Sequence, residues 1–444
     1  MLGYQEFFRG KKITVMGMGL LGGVGDIRFL AENGADLIVT DLKQESELSP
    51  SLEALREFTN IRYTLGRHDL ADFQGRDLII MAPTTPKNSA FIAEARAQGT
   101  PITMWAALFS RFAREAGATI VGITGTRGKT TTTVLMAQTL TAAGKQVITG
   151  GNVQGTAILS QLPQVTRDTI VVLELDSWKL QGFGEEKLSP DIAVFTTFYP
   201  DHLNYYGGDM QAYLADKALI FLNQRPHDTL IIGEQCEKIV QETYEGKIPS
   251  HAVVAYGDDV PSDWSLKIPG QHNRDNAACA LFTLRILGVG EDDIKKSFGA
   301  FTGVEGRLQF VREFSGVKIY NDTTATTPDA TIAALRALDP EDKKNIVLIM
   351  GGADKELDMT ALIKEIPLHG KKVIMLDGTG TQKMAPQLAG SMIYHSIAEA
   401  VDAAMAAASA GDIMLLSPAF ASFGMFKNEY DRGDQFMKII NSLE

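Results

Sequence analysis

Residues 119–130 read Thr119-Ile120-Val121-Gly122-Ile123-Thr124-Gly125-Thr126-Arg127-Gly128-Lys129-Thr130. A β-rich apolar run breaks into a glycine-studded loop, and a stretch rich in Thr and Ala with helical character follows. A strand, a loop ending in Gly-Lys-Thr and a helix form the core of a phosphate-binding loop. Backbone N–H groups around Gly125, Thr126, Gly128 and Thr131 can wrap phosphate oxygens, Lys129 places a cation on the outer phosphates, and the Thr130 hydroxyl suits Mg²⁺. The spacing departs from GxxxxGK[ST], because six residues before Lys129 lies Ile123, with the glycines at Gly122 and Gly125 instead. A plain glycine turn is the ordinary alternative.

The strands after this loop end in the same way. Residues 146–149 lead into Gly150, Gly151 and Asn152; 169–173 into Glu174, Asp176 and Ser177; 192–196 into Tyr199, Asp201 and His202. Ligands of open parallel sheets bind beyond the carboxyl ends of the strands, so these polar groups are expected to converge on the phosphate loop. Glu174 is placed like a Mg²⁺-binding acid, and His202 suits a second cation or the substrate. The alternatives are that Glu174 caps the next helix and that His202 is a structural histidine. Lys217, in an amphipathic stretch over 210–222, reads from spacing alone as a solvated helix lysine.

Upstream, the strand-like run 13–16 enters Gly17, Gly19 and Gly22, with Asp41 ending the next run. GxGxxG between strand and helix lets backbone N–H groups reach a diphosphate, while the acid holds a ribose or another hydroxyl. Tight strand-to-helix packing and a nicotinamide-dependent dehydrogenase are the two other readings of this weak signal.

Apolar β-rich runs alternate with helical stretches from end to end, which predicts an α/β chain of parallel-dominated sheets covered by helices. With 444 residues it exceeds one core, since cores stop growing near ~250 to 300 residues. Runs of strands restart at 119 and 317, with linkers expected at the helical, charged stretch 109–116, closed by Gly117, and at the Gly-rich 301–307. Three domains result, over 1–112, 113–303 and 304–444: Rossmann-like, P-loop and Rossmann-like. The net charge of −12 disfavours a nucleic-acid binder. No run reaches the ~18 apolar residues of a membrane span. Two distant cysteines, Cys236 and Cys279, give no disulfide framework or zinc knuckle, and a cytoplasmic, reducing setting is expected.

With these motifs in order, the chain resembles the Mur ligases, ATP-dependent amide-forming enzymes of peptidoglycan precursor synthesis, over essentially its whole length. The resemblance is carried by TGTRGKT (124–130), GGNVQG (150–155), LELDS (173–177), PDH (200–202), DKA (216–218), GQHNRDNAACAL (270–281), GR (306–307), YNDTTAT (320–326), GGADK (351–355) and LLSPAFASFGMFKNEYDRGDQF (415–436). Within the family it looks most like the branch that joins D-glutamate to UDP-N-acetylmuramoyl-L-alanine.

The resemblance implies roles for individual positions. Lys129 and Thr130 bind ATP phosphates and Mg²⁺, with Glu174 and His202 at the divalent ions. Lys217 becomes a carbamylated Mg²⁺ ligand. Asn152 contacts substrate or phosphates, Asn273 and Asn276 the adenine side, Arg307 the phosphates and Asp322 the ribose. Gly19, Leu20, Leu21 and Asp41 hold the nucleotide-sugar. Lys355 and Ser422, with Phe423 beside them and Thr326 near, hold the carboxylates of the incoming amino acid. A monomer is favoured.

Several positions depart from the family pattern: Leu21, Ala82-Pro83-Thr84, Asp176-Ser177, Thr324 and Glu429. Thr324 and Glu429 remove positive and add negative charge near an acidic acceptor. They keep open a ligase for another amino acid, such as L-glutamate or a diamino acid, and a regulator that binds nucleotide without catalysis. A folate polyglutamylating ligase shares the P-loop, but the glycine fingerprint with Asp41 argues against it.

Overall fold

The computed structural model describes residues 3–18, 22–83, 85–86, 88–151, 157–388 and 390–443. It contains three sheets. The first has β1 (Lys12–Met16), β2 (Asp36–Asp41), β3 (Ile61–Leu65), β4 (Leu78–Ile80) and β5 (Ile102–Thr103), in the order β3-β2-β1-β4-β5, all parallel. The second has β6 (Thr119–Thr124), β7 (Gln146–Gly151), β8 (Thr169–Glu174), β9 (Ile192–Phe195), β10 (Thr229–Gly233) and β11 (His251–Ala255). Their order is β11-β10-β9-β6-β8-β7, again parallel throughout. Strands such as Ile170-Val171-Val172-Leu173 are buried along their length, as expected of parallel sheets covered on both faces.

The third sheet has β12 (Gln309–Phe314), β13 (Val317–Asn321), β14 (Ile346–Met350), β15 (Gly370–Leu376), β16 (Met392–Tyr394) and β17 (Ile413–Leu416), ordered β12-β13-β17-β14-β15-β16. Among the described residues of this sheet, only the β12–β13 strand pair is antiparallel. Leu348, Met350 and Leu415 pack on one face of this sheet, and Val347, Ile349 and Phe436 on the other.

The α/β, parallel-dominated reading therefore holds, with two corrections. The third section begins with the hairpin strand β12, not at 317, because β12 is a half-exposed edge strand whose polar residues hide its register. The stretch 109–116 is no free linker. Its helical character is borne out, since 109–115 form the end of helix Trp105–Glu115, but Phe109, Phe112 and Ala113 are buried and tie it to the fold.

The chain divides into two compact units. One comprises 1–198, 209–255 and 279–290, and thus holds the first two sheets; the other comprises 199–208, 256–278 and 291–444. Among the described residues no helix is long and apolar enough to cross a membrane.

In the second unit, Arg432 of helix Glu429–Asn441 is fully buried. Its guanidinium donates to the Thr323 carbonyl at 2.7 Å, the Thr323 hydroxyl at 3.2 Å and the Phe420 carbonyl at 3.4 Å. Burial pushes its pKa down to about 10, against the pull of Glu429 and Asp322. It thereby staples the loop after β13 to the loop after β17. Arg432→Met keeps volume but strands these acceptors. A loss of about 3 kcal/mol is expected in denaturant unfolding of the full chain, and an unchanged transition would contradict the staple.

Candidate functional site

In the first unit the central sheet places β6 between β8 and β9, so the loop leaving β6 emerges where the strand order changes direction. Register pairs Ile123 with Glu174 and Thr124 with Phe195, which sets the ends of three strands side by side. The loop is held from beneath. Thr126 N–H donates to the Thr197 carbonyl at 2.7 Å, Arg127 N–H to the Thr197 hydroxyl at 2.8 Å, and the Thr196 hydroxyl to the Arg127 carbonyl at 2.5 Å. Gly125 has φ +147°, and a Cβ there would lie 2.1 Å from the Thr196 hydroxyl oxygen. Gly128, at φ 87°, precedes helix Lys129–Ala142, so the loop turns directly into a helix N-terminus that presents Thr130 and Thr131.

Two lysines meet this loop. Lys129 Nζ donates to the Gly125 carbonyl at 2.9 Å and to the Thr126 carbonyl at 3.2 Å. Lys217 Nζ donates to the same Gly125 carbonyl at 2.9 Å, lies 3.5 Å from the Thr124 hydroxyl and sits 4.9 Å from the Tyr213 ring centroid. Only 1% of Lys217 is exposed, which overturns the solvated reading from spacing. The reason is tertiary: helix Met210–Ala218 turns its lysine face inward onto β6's loop.

Glu174 is buried at the end of β8, where Leu175 N–H donates to the Ile123 carbonyl at 2.8 Å. The helix-capping alternative for Glu174 falls to another residue. Asp176 caps helix Ser177–Glu185, accepting the Lys179 N–H at 2.8 Å and the Lys179 ammonium at 2.6 Å. Burial raises the Asp176 pKa, but the charge and hydrogen bonds of Lys179, with Lys129 beyond, outweigh it and hold the carboxyl below its ordinary value. Sequence reading placed Asp176 among the polar strand ends and noted it as a departure but did not see its capping role; an Asp followed by Lys179 three residues on was the available signal. Among the described residues, no group of three or more His, Cys, Asp and Glu forms a metal cage.

Also in this unit, Asp41 accepts the Met18 N–H at 2.8 Å through one oxygen and the Lys43 N–H at 2.9 Å through the other. It therefore braces the fingerprint backbone. Gly19, Leu20, Leu21, Thr84 and Asn152 lie outside the described residues.

In the second unit, the loops after β13, β14 and β17 gather at one edge of the third sheet. Asp322 accepts the Leu308 N–H at 2.9 Å and the Ser417 hydroxyl at 2.9 Å. Ala419 N–H donates to the Ala325 carbonyl, next to Thr326, and Ala353 N–H to the Ala421 carbonyl, next to buried Ser422. Phe423 is 66% exposed. Lys355 is ion-paired at 2.6 Å with Asp201, the residue before His202. His202 adopts a left-handed backbone, φ 54°, while its side chain remains partly exposed. Asn273 donates to the Pro269 carbonyl at 2.7 Å, and the Asn276 amide faces the Asn273 side-chain oxygen at 3.4 Å. Arg307 is half-buried in the turn that bridges to Val304. The Thr324 hydroxyl is committed to the Gly306 carbonyl at 2.9 Å, and the Glu429 carbonyl accepts the Thr323 hydroxyl.

A phosphate-loop sheet flanked in sequence by two further α/β sheets, each with polar loops at its carboxyl edge, defines a multidomain nucleotide-handling protein. Family models narrow this: Mur ligase MurD-like, N-terminal domain, matches 11–104; Mur ligase middle domain, 123–265; and Mur ligase, glutamate ligase domain, 306–420. The UDP-N-acetylmuramoylalanine–D-glutamate ligase of Roseiflexus sp. (strain RS-1) is 39% identical, over 98% of this chain and 99% of that one. The ligase of the same name from Borreliella burgdorferi (strain ZS7) is 35% identical over 97% of each. The chain belongs to the Mur ligase family. Its fold is similar to that of the UDP-N-acetylmuramate–alanine ligase of Thermotoga maritima, with a TM-score of 0.60 at 20% identity, covering 97% of this chain and 99% of that one. The MurF ligase of the same organism, solved with ADP, has a TM-score of 0.58 at 15% identity, covering 99% and 96%.

Proposed function

We propose that this chain is an ATP-dependent, ADP-forming ligase that adds D-glutamate to UDP-N-acetylmuramoyl-L-alanine in peptidoglycan precursor synthesis. The observation that carries this reading is end-to-end likeness to ligases named for that reaction. Residues 1–112 take the nucleotide-sugar, 113–303 ATP, and 304–444 the amino acid.

A carboxylate is a poor acyl donor, so the L-alanine carboxylate oxygen first attacks the γ-phosphorus of ATP and ADP leaves. The amino group of D-glutamate then attacks the acyl phosphate carbon, and phosphate departs with one former carboxylate oxygen. Gly125, Thr126, Gly128 and Thr131 cradle the phosphates by backbone N–H groups, and Lys129 meets the charge on the transferring group. Asn273 and Asn276 face the adenine, Arg307 the phosphates and Asp322 the ribose. Lys355, Ser422 and Phe423, with Thr326, receive the amino acid, the Lys355–Asp201 pair setting where the ammonium stands. Gly19, Leu20, Leu21 and Asp41 hold the nucleotide-sugar, and Asn152 the substrate.

Thr130 and Glu174 offer the hard oxygen donors that suit Mg²⁺, which takes few protein ligands and keeps phosphate oxygens and waters. His202 and a carbamate on Lys217 complete the proposed set. The bound ion supplies neutralisation of phosphoryl charge.

The test is phosphate release from ATP with UDP-N-acetylmuramoyl-L-alanine and a panel of D-glutamate, L-glutamate and a diamino acid, with product mass recorded. Release that needs both substrates and yields the D-glutamate amide is expected. An amide with another acceptor would replace the substrate assignment; ATP binding without release would make the chain a regulator. Gly125→Ala should weaken ATP binding by more than about tenfold, ~1.4 kcal/mol, because the new methyl meets the Thr196 hydroxyl. Unchanged ATP affinity in a nucleotide titration would remove the loop from the ATP site.

A further inference from the structure

Asp26 lies in helix Gly22–Glu32, which covers the first sheet, yet its carboxylate serves the second. It accepts the Leu159 N–H at 2.7 Å and the neighbouring Ile158 N–H, at the start of the short helix Leu159–Gln164 that lies between β7 and β8. The two segments approach at backbone distance: a Cβ on Gly25 would lie 2.5 Å from the Ala157 Cβ. Asp26 is 3% exposed, and a buried carboxyl with two amide partners among the described residues is an expensive way to join apolar surfaces. Its neighbours in sequence are informative. Helix Gly22–Glu32 follows the glycine fingerprint, and residue 157 follows GGNVQG, so the joint ties together the supports of two donor-binding stretches.

We propose that Asp26 is a positioning residue that holds the first and second sheets of this unit in the arrangement the nucleotide-linked donor needs. This rests on the donor assignment above. Charged groups on the surrounding elements are engaged elsewhere or exposed. On its own helix Arg28 pairs with Glu57 and Glu32 is exposed; on the next helix Glu45, Glu47 and Glu53 are exposed. On β2, Asp36 pairs with Arg62 and Asp41 holds the Met18 and Lys43 N–H groups. On helix Trp105–Glu115, Arg111 pairs with Glu186, Arg114 with Asp191, and Glu115 is exposed. Helix Leu159–Gln164 carries no charged side chain.

Burial outweighs the two amide bonds and raises the Asp26 pKa to about 7. The sign follows. The closed joint binds the proton more tightly than solvent-exposed Asp26 does, so its stabilisation is complete below the ordinary carboxylate range and is lost as pH rises through about 7. Between the ordinary carboxylate range and about 7, opening of the joint is favoured up to tenfold per pH unit, the effect levels off above 7, and donor affinity falls with the closed population.

The experiment measures KM for UDP-N-acetylmuramoyl-L-alanine, KM for ATP and kcat on the full chain from pH 6 to 8.5, for wild type, Asp26→Asn, Asp26→Glu and Asp26→Leu. Wild-type donor KM should rise at least threefold across this range. Asp26→Asn, which keeps an acceptor oxygen without charge, should flatten that rise, whereas Asp26→Leu should raise donor KM more than fivefold at every pH with ATP KM unchanged. Asp26→Glu should restore the pH dependence. A wild-type slope retained in Asp26→Asn, or equal effects on both KM values and kcat, would overturn the role. If wild type turns over no donor, the functional assignment fails instead. Thermal unfolding then decides the joint: wild type should lose stability from pH 5 to 8, and the loss should vanish in Asp26→Asn. A loss of the same size in both would overturn it.

Discussion

Lys129→Ala is expected to abolish ATP-dependent phosphate release, with kcat falling at least ~10² to 10³-fold, the scale seen when one preorganised charge is removed from a transition state. Lys129 stands at the first turn of its helix, with Nζ held at the mouth of the loop by the Gly125 and Thr126 carbonyls. Both acceptors belong to the loop that the proposed function assigns to the phosphates, so the ammonium stands within that loop. The loop itself is carried by Thr196 and Thr197, which the substitution leaves in place. Folding should therefore survive, and thermal unfolding should shift little while turnover disappears. Near-normal turnover in a folded variant would remove the phosphate loop from the reaction.

Lys217→Arg is expected to have an effect of similar size for a different reason. Charge is kept, so a purely electrostatic role predicts a tolerant site. A carbamate forms on a neutral amine, and arginine makes no stable one. Arginine must also place a planar fork where the Gly125 carbonyl and the Tyr213 ring now enclose a single nitrogen. Turnover should fall, and a ¹³C carbamate signal obtained in labelled bicarbonate should be present in wild type and absent in Lys217→Arg. Lys217→Met separates the two causes. If it folds normally, the lost activity belongs to the ligand and not to packing. Full activity in Lys217→Arg would reduce Lys217 to a structural prop for the loop.

Much of this was legible in the sequence because parallel α/β folds write their strands as short apolar runs that end in polar or glycine loops. The run at 119–124 and the polar ends of β8 and β9 are cases where local pattern and tertiary role coincide, and register alone then sets Glu174 beside the loop. Strand β12 was missed because a half-exposed edge strand has no apolar run to mark it. Lys217 could not be read from its own helix, since only the fold decides which face of Met210–Ala218 meets β6. Asp26, Arg432 and the Lys355–Asp201 pair share that limit. Thr323 lies 109 residues from Arg432, Leu159 133 from Asp26, and Asp201 154 from Lys355. The departures at Thr324 and Glu429 also gain a physical content that sequence lacks. Thr324 fastens its loop to Gly306, and Glu429 opens the helix that carries Arg432.

The most direct measurement labels the L-alanine carboxylate of UDP-N-acetylmuramoyl-L-alanine with ¹⁸O, adds ATP and D-glutamate, and weighs the phosphate that is released. Activation of that carboxylate by the loop at 124–130 requires one labelled oxygen in each phosphate, formed only when all three substrates are present. Phosphate that carries no label, or that forms without the donor, would contradict ligation through an acyl phosphate at this site.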